Sequence, residues 1–260
     1  MKQLGKSDYV ALKRSVYREY SRSYDEDRDR FVSGTALLQR IDWALEPLSP
    51  GGNLLDLGCG SGQLLCRAAD RAEGKGLLAG MDLTPEMLTI ASAELDGRVI
   101  LVEGDAAGNL PFKDGSFDLV TSLNLLQELP ADVVTVLFEN VYRVLRPGGS
   151  FRAVIPCMAD GPVPSVKNEA SCIFRRMARA RSAMDFRYAR DLEELLLGLP
   201  GFEGKWTEFR LSPAAANAAK GESRFTLFTD ILKDIESLGL DPSQVQQGVV
   251  FFSGQRGPDS

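Results

Sequence analysis

The stretch LLDLGCGSGQLL, residues 54–65, decides the fold. Its first apolar run ends at Leu57, and in residues 58–62 three glycines alternate with a cysteine and a serine before leucines resume. This pattern is typical of a buried strand that turns sharply into a helix starting near Gln63, because glycine adopts the backbone conformations of a tight turn. A ligand can lie directly against such a turn at the carboxyl edge of a parallel sheet.

Short apolar runs alternate with helical patterns from residue 53 to residue 155, which predicts right-handed βαβ units. Thr84-Pro85-Glu86 is typical of a helix start, and Pro147-Gly148-Gly149 of a helix end. Strands are predicted at residues 53–57, 76–82, 99–103, 117–122, 150–155, 206–211 and 246–252. Helices are predicted at residues 63–71, 85–95, 132–145, 169–181, 191–197 and 225–238.

One domain over residues 1–260 is expected, with two domains as the alternative. A helical arm occupies residues 1–48 and is rich in tyrosine, including Tyr17, Tyr20 and Tyr24. The core that would bind a ligand occupies residues 49–156. Segments 157–200 and 212–244 are expected to cover the pocket.

Composition narrows the class of protein. The 260 residues are 44% hydrophobic and 25% charged, as in soluble globular proteins. A net charge of −6 disfavours a nonspecific nucleic-acid binder, which needs a basic surface. The chain has no run typical of a membrane span or of a secretory signal, so we expect a cytoplasmic protein with no membrane partner.

The chain contains no histidine, which excludes Ser-His-Asp, Cys-His and histidine-metal mechanisms. The four cysteines form no Cys-x-x-Cys pair, so no metal site is expected. Arginines are concentrated between residues 175 and 190, next to acidic residues that begin at Asp191. A solvated helix face is the favoured interpretation, and a site for an anionic substrate or RNA phosphate is the alternative.

Carboxylates stand at or near the carboxyl ends of the first three predicted strands, where a ligand would bind. The loop reads G-x-G-x-G, unlike the G-x-G-x-x-G of dinucleotide sites, and Asp56 just before it suits a cationic ligand end better than a pyrophosphate. Asp82 stands where a carboxylate accepts ribose hydroxyls, and Asp105 stands where it reaches an adenine amino group. The pattern therefore favours a nucleoside that carries an amino acid.

These residues, together with GMDLTPEML (80–88), VEGDAAGNLPFKDGSFDLV (102–120) and VLRPGG (144–149), resemble the class I S-adenosylmethionine-dependent methyltransferases. The likeness is to their small-molecule type, similar to methyltransferase domains 11 and 25. It implies a Rossmann-like α/β fold with a seven-stranded, mostly parallel sheet and helices on both faces. It also implies S-adenosylmethionine as cofactor and S-adenosylhomocysteine as product. The implied cofactor-binding residues are Asp56, Gly58, Cys59, Gly60, Asp82, Leu83, Met87, Gly104, Asp105, Ala106, Asn124, Gln127 and Tyr24.

The chain departs from that family at SLNLLQELP (122–130), where many relatives have a histidine pair and this sequence has Gln127 and Glu128. A histidine base is therefore excluded. Collinear placement of nucleophile, methyl and sulfur contributes on the order of 7 to 11 kcal/mol, so little acid–base chemistry is needed. Glu128 and Tyr24 are the candidate catalytic residues; the alternatives are that Glu128 caps a helix or faces water, and that the tyrosines only pack.

The expected function is methylation of a small organic metabolite at oxygen, nitrogen or carbon, in secondary metabolite biosynthesis. Alternatives are an RNA or protein methyltransferase, and a protein that binds the cofactor but catalyses a non-methylating reaction such as cyclisation. A dinucleotide reductase is disfavoured by the glycine spacing. The expected partner is a small-molecule substrate, with a homodimer formed through the arm left open.

Overall fold

The structure is a computed structural model that describes residues 6–22, 24, 34–158, 169–182, 187, 191, 195–196, 202–210, 226–241, 245 and 247–257. The helices of this part are α1 (Lys6–Tyr20), α2 (Gly34–Leu45), α3 (Gln63–Arg71), α4 (Pro85–Leu95), α5 (Ala131–Val144), α6 (Glu169–Ser182) and α7 (Thr226–Ser237), with a 3₁₀ helix at Leu126–Glu128. The strands are β1 (Leu54–Leu57), β2 (Leu78–Asp82), β3 (Ile100–Glu103), β4 (Phe117–Leu123), β5 (Leu145–Met158), β6 (Phe202–Arg210) and β7 (Gln247–Arg256).

The strands form one sheet in the order β3-β2-β1-β4-β5-β7-β6. Strands β1 to β5 pair in parallel, whereas β7 is antiparallel to both β5 and β6. The order reverses at β1, which lies between β2 and β4, and such a switch point opens a crevice at the carboxyl ends of the strands. The predicted Rossmann-like, mostly parallel α/β fold is confirmed.

Helices cover both faces of the sheet because successive strand residues point to opposite sides. Leu55 belongs to a buried cluster with Leu137 of α5 and Phe151 of β5. Its neighbour Leu54 belongs to a second cluster with Leu65 of α3, to which α2 and α4 also contribute. Each face of the sheet therefore has its own hydrophobic core.

Strand β5 begins earlier than predicted. Helix α5 ends at Val144 and the strand starts directly at Leu145, so Pro147-Gly148-Gly149 lies within the strand and does not end the helix. Leu145 pairs with Phe117 of β4, and the register then shifts before Ser150 pairs with Leu119. The extra residues of this irregularity include Gly148, whose φ of +77° is a conformation that favours glycine.

Helices α6 and α7 come from the two predicted cover segments and pack against each other. Ala170 and Ala178 of α6 are buried with Ile231 and Ile235 of α7. Much of residues 157–200 and 212–244 lies outside the described residues, as do residues 25–33 of the arm. No helix in the described part of the chain is long and apolar enough to cross a membrane.

Candidate active site

A pocket opens at the carboxyl ends of β1 to β4. Eleven of the fourteen site residues predicted from the sequence line it, whereas Asp56, Cys59 and Gln127 do not. The eleven are Tyr24, Gly58, Gly60, Asp82, Leu83, Met87, Gly104, Asp105, Ala106, Asn124 and Glu128. Its other lining residues are Tyr9, Val10, Lys13, Tyr17, Met81, Thr84, Leu123, Leu125 and Leu129.

The glycine loop after β1 forms one wall of the pocket. Gly58 and Gly60 have φ values of +72° and +53°, which side chains other than glycine rarely adopt. A Cβ atom on Gly58 would lie 3.2 Å from the side chain of Leu125, and one on Gly60 would lie 3.4 Å from Met87 Cε. The loop backbone can therefore face the pocket because these positions have no side chains.

The carboxylate of Asp82 joins this loop to the start of α4. Its Oδ2 accepts a hydrogen bond from the Gly60 backbone N–H, and its Oδ1 accepts one from the Thr84 N–H, both at 2.9 Å. Burial raises the pKa of this carboxyl group, while these backbone bonds act in the opposite direction. Asp82 also lines the pocket, so a ligand in the pocket can reach this residue.

Asp105 holds the equivalent place after β3. Its Oδ1 accepts a hydrogen bond from the Ala107 N–H at 2.9 Å, which fixes the turn that follows the strand. Gly104 and Ala106 line the pocket on either side of it. Asp82 at the end of β2 and Asp105 just after β3 therefore line the same pocket.

Three predicted site residues lie behind the pocket surface. Asp56 is 3% exposed, and its Oδ1 accepts a hydrogen bond from Thr121 Oγ1 at 2.7 Å. The pKa of Asp56 is raised from its usual 3.8 to about 7, mainly because the carboxyl group is buried; the hydrogen bond from Thr121 opposes this shift and the nearby charge of Asp82 adds to it. The side chain of Cys59 is buried towards Gly80 of β2. Whether Asp56 or Cys59 contacts a ligand stays a prediction.

Beyond β4, Asn124 adopts a φ of +59° and lines the pocket. Gln127 is buried, and its Nε2 donates a hydrogen bond to the Asn124 carbonyl at 2.6 Å. Asn124 Oδ1 and Gln127 Oε1 have no hydrogen-bond partner among the described residues. Gln127 therefore supports the backbone of this wall from behind, whereas Asn124 itself lines the pocket.

Comparisons with known proteins identify the family of this chain. The family model described as "Methyltransferase domain" matches residues 54–149. A demethylmenaquinone methyltransferase of Lactococcus lactis subsp. lactis (strain IL1403) is 30% identical over 203 residues, which cover 68% of this chain and 79% of that protein. The chain belongs to the class I S-adenosylmethionine-dependent methyltransferases.

Two solved structures show the same fold. A geranyl diphosphate C-methyltransferase from Streptomyces coelicolor A3(2), in complex with Mg²⁺, geranyl diphosphate and S-adenosyl-L-homocysteine, has a TM-score of 0.63 at 15% identity and covers 85% of this chain and 80% of its own. The [4+2]-cyclase SpnF has a TM-score of 0.62 at 21% identity and covers 86% of this chain and 82% of its own. At these identities the likeness concerns the fold alone.

The methyltransferase places a buried ion pair in its pocket. Lys13 of α1 donates a hydrogen bond from Nζ to Oε2 of Glu128, 2.5 Å away, and the two residues are 2% and 4% exposed. Glu128 therefore neither faces water nor caps the next helix, whose N-cap is Pro130. Sequence reasoning missed Lys13, although its spacing of four residues from both Tyr9 and Tyr17 places all three on one helix face.

Two exposed ion pairs also join α1 to the rim of the pocket. Arg14 donates to Glu103 at the end of β3, and Arg18 donates to Glu86 in α4, both at 2.9 Å. Exposed pairs such as these contribute about 0–1 kcal/mol each, so they orient α1 weakly compared with the buried contact of Lys13.

The arm tyrosines contact one another at the pocket. The rings of Tyr20 and Tyr24 meet edge to face with centroids 5.2 Å apart, and Tyr17 lies 6.1 Å from Tyr20. Tyr17 and Tyr24 line the pocket, and the hydroxyl of Tyr24 would lie 3.8 Å from a Cβ atom on Gly60. Tyr24 therefore both packs against Tyr20 and lines the pocket. Its role as a catalytic or cofactor-binding residue stays a prediction.

The methyltransferase buries one arginine that the sequence suggested was solvated. Arg187 is 5% exposed and donates hydrogen bonds to the carbonyls of Leu126 and Leu129, at 3.0 and 2.7 Å. The expected solvated face was wrong for this residue, because a guanidinium has enough donors to bind several backbone carbonyls when buried. Of the adjoining acids, Asp191 forms an ion pair with Arg175 at 3.6 Å.

Proposed function

We propose that this methyltransferase transfers the methyl group of S-adenosylmethionine to a small organic acceptor held in the pocket at the carboxyl ends of β1 to β4. The observation that carries the proposal is that one pocket is lined both by the glycine loop with its acids and by side chains of α1. Donor and acceptor would then share an enclosed space. The name of the Lactococcus lactis relative, which refers to demethylmenaquinone, supports an acceptor of small-molecule size.

The residues of this pocket fit the donor. Asp82 would accept the ribose hydroxyls, since it lines the pocket at the end of β2. Asp105 would lie at the adenine, between walls formed by Leu83, Met87 and Ala106. The methionine part would lie along Gly58 and Gly60, where side chains are absent. Asp56, Cys59 and Gln127 would act from behind by shaping this wall.

When bound, S-adenosylmethionine supplies an electrophilic methyl group on a cationic sulfur. The protein would hold the acceptor atom in line with that methyl group, which contributes on the order of 7 to 11 kcal/mol. Glu128 is the proposed catalytic group that takes a proton from the acceptor, because it is the buried carboxylate on the β4 side of the pocket. Tyr24 is the proposed second group, and it would contact both donor and acceptor.

We also propose a single domain over residues 1–260. The arm, residues 1–48, would close the pocket through α1, as the contacts of Lys13 with Glu128 support. Segments 157–200 and 212–244 would cover it from outside, since Arg187 already binds the 3₁₀ helix. The described residues of α6 and α7 do not line the pocket, so their proposed role is to support this cover.

The proposal is tested with S-adenosylmethionine labelled in its methyl group. The protein is incubated with this donor and a metabolite extract, and products are screened for a gain of one CH₂ unit and for S-adenosylhomocysteine release. Transfer to a small product supports the proposal. Label in RNA or protein would favour a macromolecular acceptor, and calorimetric binding of S-adenosylhomocysteine without any transfer would favour a non-methylating reaction.

A further inference from the structure

We propose that Lys13 and Glu128 together bind a hydroxyl group of the methyl acceptor, so that the acceptor is an uncharged small ring or enol that carries a hydroxyl. This inference rests on the proposed methyl transfer and names the chemical class of its acceptor. The ion pair lines the same pocket as the glycine loop, and both of its side chains are almost completely removed from solvent.

The strand order places this pair at one end of the pocket. Along the carboxyl edge, Asp105 follows β3, Asp82 ends β2 and the glycine loop follows β1. Glu128 follows the next strand, β4. Neighbouring strands lie about 4.8 Å apart, so Glu128 is one strand beyond the glycine loop and furthest from Asp105. If the loop holds the methionine part, the pair is on the side from which an acceptor approaches.

The chemistry of the pair selects a hydroxyl group. An ammonium donates up to three hydrogen bonds and a carboxylate accepts about four, and the bond that joins Lys13 to Glu128 takes one of each. A hydroxyl group both donates and accepts, so it can bond to Glu128 and Lys13 at once. The pair is neutral overall, so an uncharged hydroxyl group keeps the buried site neutral, whereas an anionic or cationic group would add a charge without a counter-charge.

The surroundings of the pair suit a flat, largely apolar molecule. Tyr9, Val10 and Tyr17 of α1 and Leu125 and Leu129 after β4 line the pocket around it. Such a wall binds rings through area and shape, while a few polar groups set orientation. A ring with one hydroxyl group would therefore be oriented by Lys13 and Glu128, with its reacting atom turned to the methyl group.

The position of Glu128 is fixed from outside the pocket. Arg187 holds the carbonyls of Leu126 and Leu129, on either side of Glu128, and Lys13 holds the carboxylate itself. A site supported in this way keeps its geometry before the acceptor binds. Arg187 is thus a positioning residue for Glu128.

The transfer step balances with these groups. The hydroxyl oxygen, or a ring carbon conjugated to it, forms a bond to the methyl carbon while the sulfur–methyl bond breaks and its electron pair stays on sulfur. The hydroxyl proton passes to the Glu128 carboxylate and, for transfer to oxygen, later leaves to water. For transfer to a ring carbon the first product is the ketone; that carbon then loses its proton to water and the oxygen takes a proton back from Glu128, so one proton is released in either case. Lys13 keeps its protons and stabilises the negative charge that develops on the acceptor oxygen.

The test uses matched ring compounds with the full chain. Phenol, catechol, 1-naphthol and 1,4-dihydroxynaphthalene are compared with the amine, thiol and carboxylate counterparts of the same rings, by label transfer and by calorimetry on protein saturated with S-adenosylhomocysteine. Binding and methylation of hydroxyl compounds support the inference. Methylation of amines or thiols alone overturns it while methyl transfer stands. Methylation of no compound in the panel or in a metabolite extract overturns the proposed function itself.

Three variants separate acceptor binding from closure of the arm. Glu128→Gln should lower kcat for the hydroxyl acceptor by about 100-fold or more, the scale of general base catalysis. Lys13→Met should raise the acceptor KM about tenfold or more, the loss expected for a hydrogen bond to a charged group. Arg14→Met, which breaks the exposed pair next to Lys13 on α1, is the matched control and should leave both constants within about threefold of wild type.

The affinity for S-adenosylhomocysteine and the melting temperature show whether each variant is folded. If a single variant fails to fold because one charge is buried alone, the double variant Lys13→Met/Glu128→Leu removes both charges and should restore the fold. It should still bind S-adenosylhomocysteine and lose selectivity for hydroxyl compounds. Kinetic constants of Lys13→Met and Glu128→Gln equal to those of Arg14→Met would overturn the inference.

Discussion

Replacement of Asp82 by asparagine tests how the loop and the cofactor share one carboxylate. In the wild type, the two carboxylate oxygens accept backbone hydrogen bonds from Gly60 and Thr84, each at 2.9 Å. The asparagine amide has one oxygen and one NH₂ group, so one backbone N–H would face a donor. The ribose would also lose a charged acceptor.

The expected effect on binding follows from the worth of those bonds. Hydrogen bonds to charged groups contribute about 1.5–3 kcal/mol, so the dissociation constant of S-adenosylhomocysteine should rise about 10- to 150-fold. The effect on stability should be smaller. Burial raises the pKa of Asp82 and therefore disfavours its charged form in the fold, so loss of the charge offsets part of the lost hydrogen bonding.

Calorimetric titration with S-adenosylhomocysteine measures the binding effect, and thermal unfolding without ligand measures the stability effect. Asp114→Asn is the matched control, because Asp114 forms an exposed ion pair with Arg143 away from the pocket. It should leave the dissociation constant unchanged. A dissociation constant of Asp82→Asn within twofold of wild type would show that Asp82 does not contact the cofactor.

Three further changes test the fold around the site. Gly76→Ala should lower the free energy of unfolding, measured in urea titrations, by about 1–3 kcal/mol more than Gly74→Ala does. Both glycines have a positive φ, but only at Gly76 would a Cβ atom clash with the Gly52 carbonyl oxygen, 2.5 Å away. Equal losses in the two variants would contradict the clash. The raised pKa of Asp56, about 7, means that the folded state binds a proton more tightly than the unfolded state, so Asp56 favours folding below pH 3.8 and this contribution is lost as the pH rises to about 7. Asp56→Asn should therefore gain stability relative to wild type across that range, and parallel pH profiles would refute the shift. Arg187→Met should cost about 2–5 kcal/mol of unfolding free energy, because two buried carbonyls lose a charged donor; a change below about 0.5 kcal/mol would mean that water replaces it.

The cofactor side of the pocket was largely predictable from the sequence because it is built from local segments. The ends of β1 and β2 at Leu57 and Asp82 follow from apolar runs that stop at glycine or at an acid. Each parallel strand brings the residue after its last apolar position to the same edge of the sheet. Sequence order alone therefore brings Asp82 and Asp105 to one pocket.

The burial of Asp56 and the burial of Arg187, which local patterns do not predict, both come from contacts between distant segments. Asp56 stands beside the loop in the sequence, but pairing of β1 with β4 places it against Thr121, below the pocket surface. Arg187 carries a charge, which favours solvent in any local interpretation, yet the carbonyls of the 3₁₀ helix give it partners in the interior. No pattern within a short window contains either partner.

The acceptor side depends on such contacts more than the cofactor side does. Lys13 and Glu128 are 115 residues apart in the sequence. Their pairing requires α1 to lie across the carboxyl edge of the sheet, to which α1 contributes no strand. A substitution on the pocket face of α1 would therefore change the surface that the proposed acceptor contacts. It would leave unchanged the strand ends where the cofactor is proposed to bind. Chains that share the motifs of residues 54–149 can accordingly differ in acceptor through the arm alone. For this reason we expect exchange of Lys13 to change acceptor selectivity and exchange of Asp82 to change donor affinity.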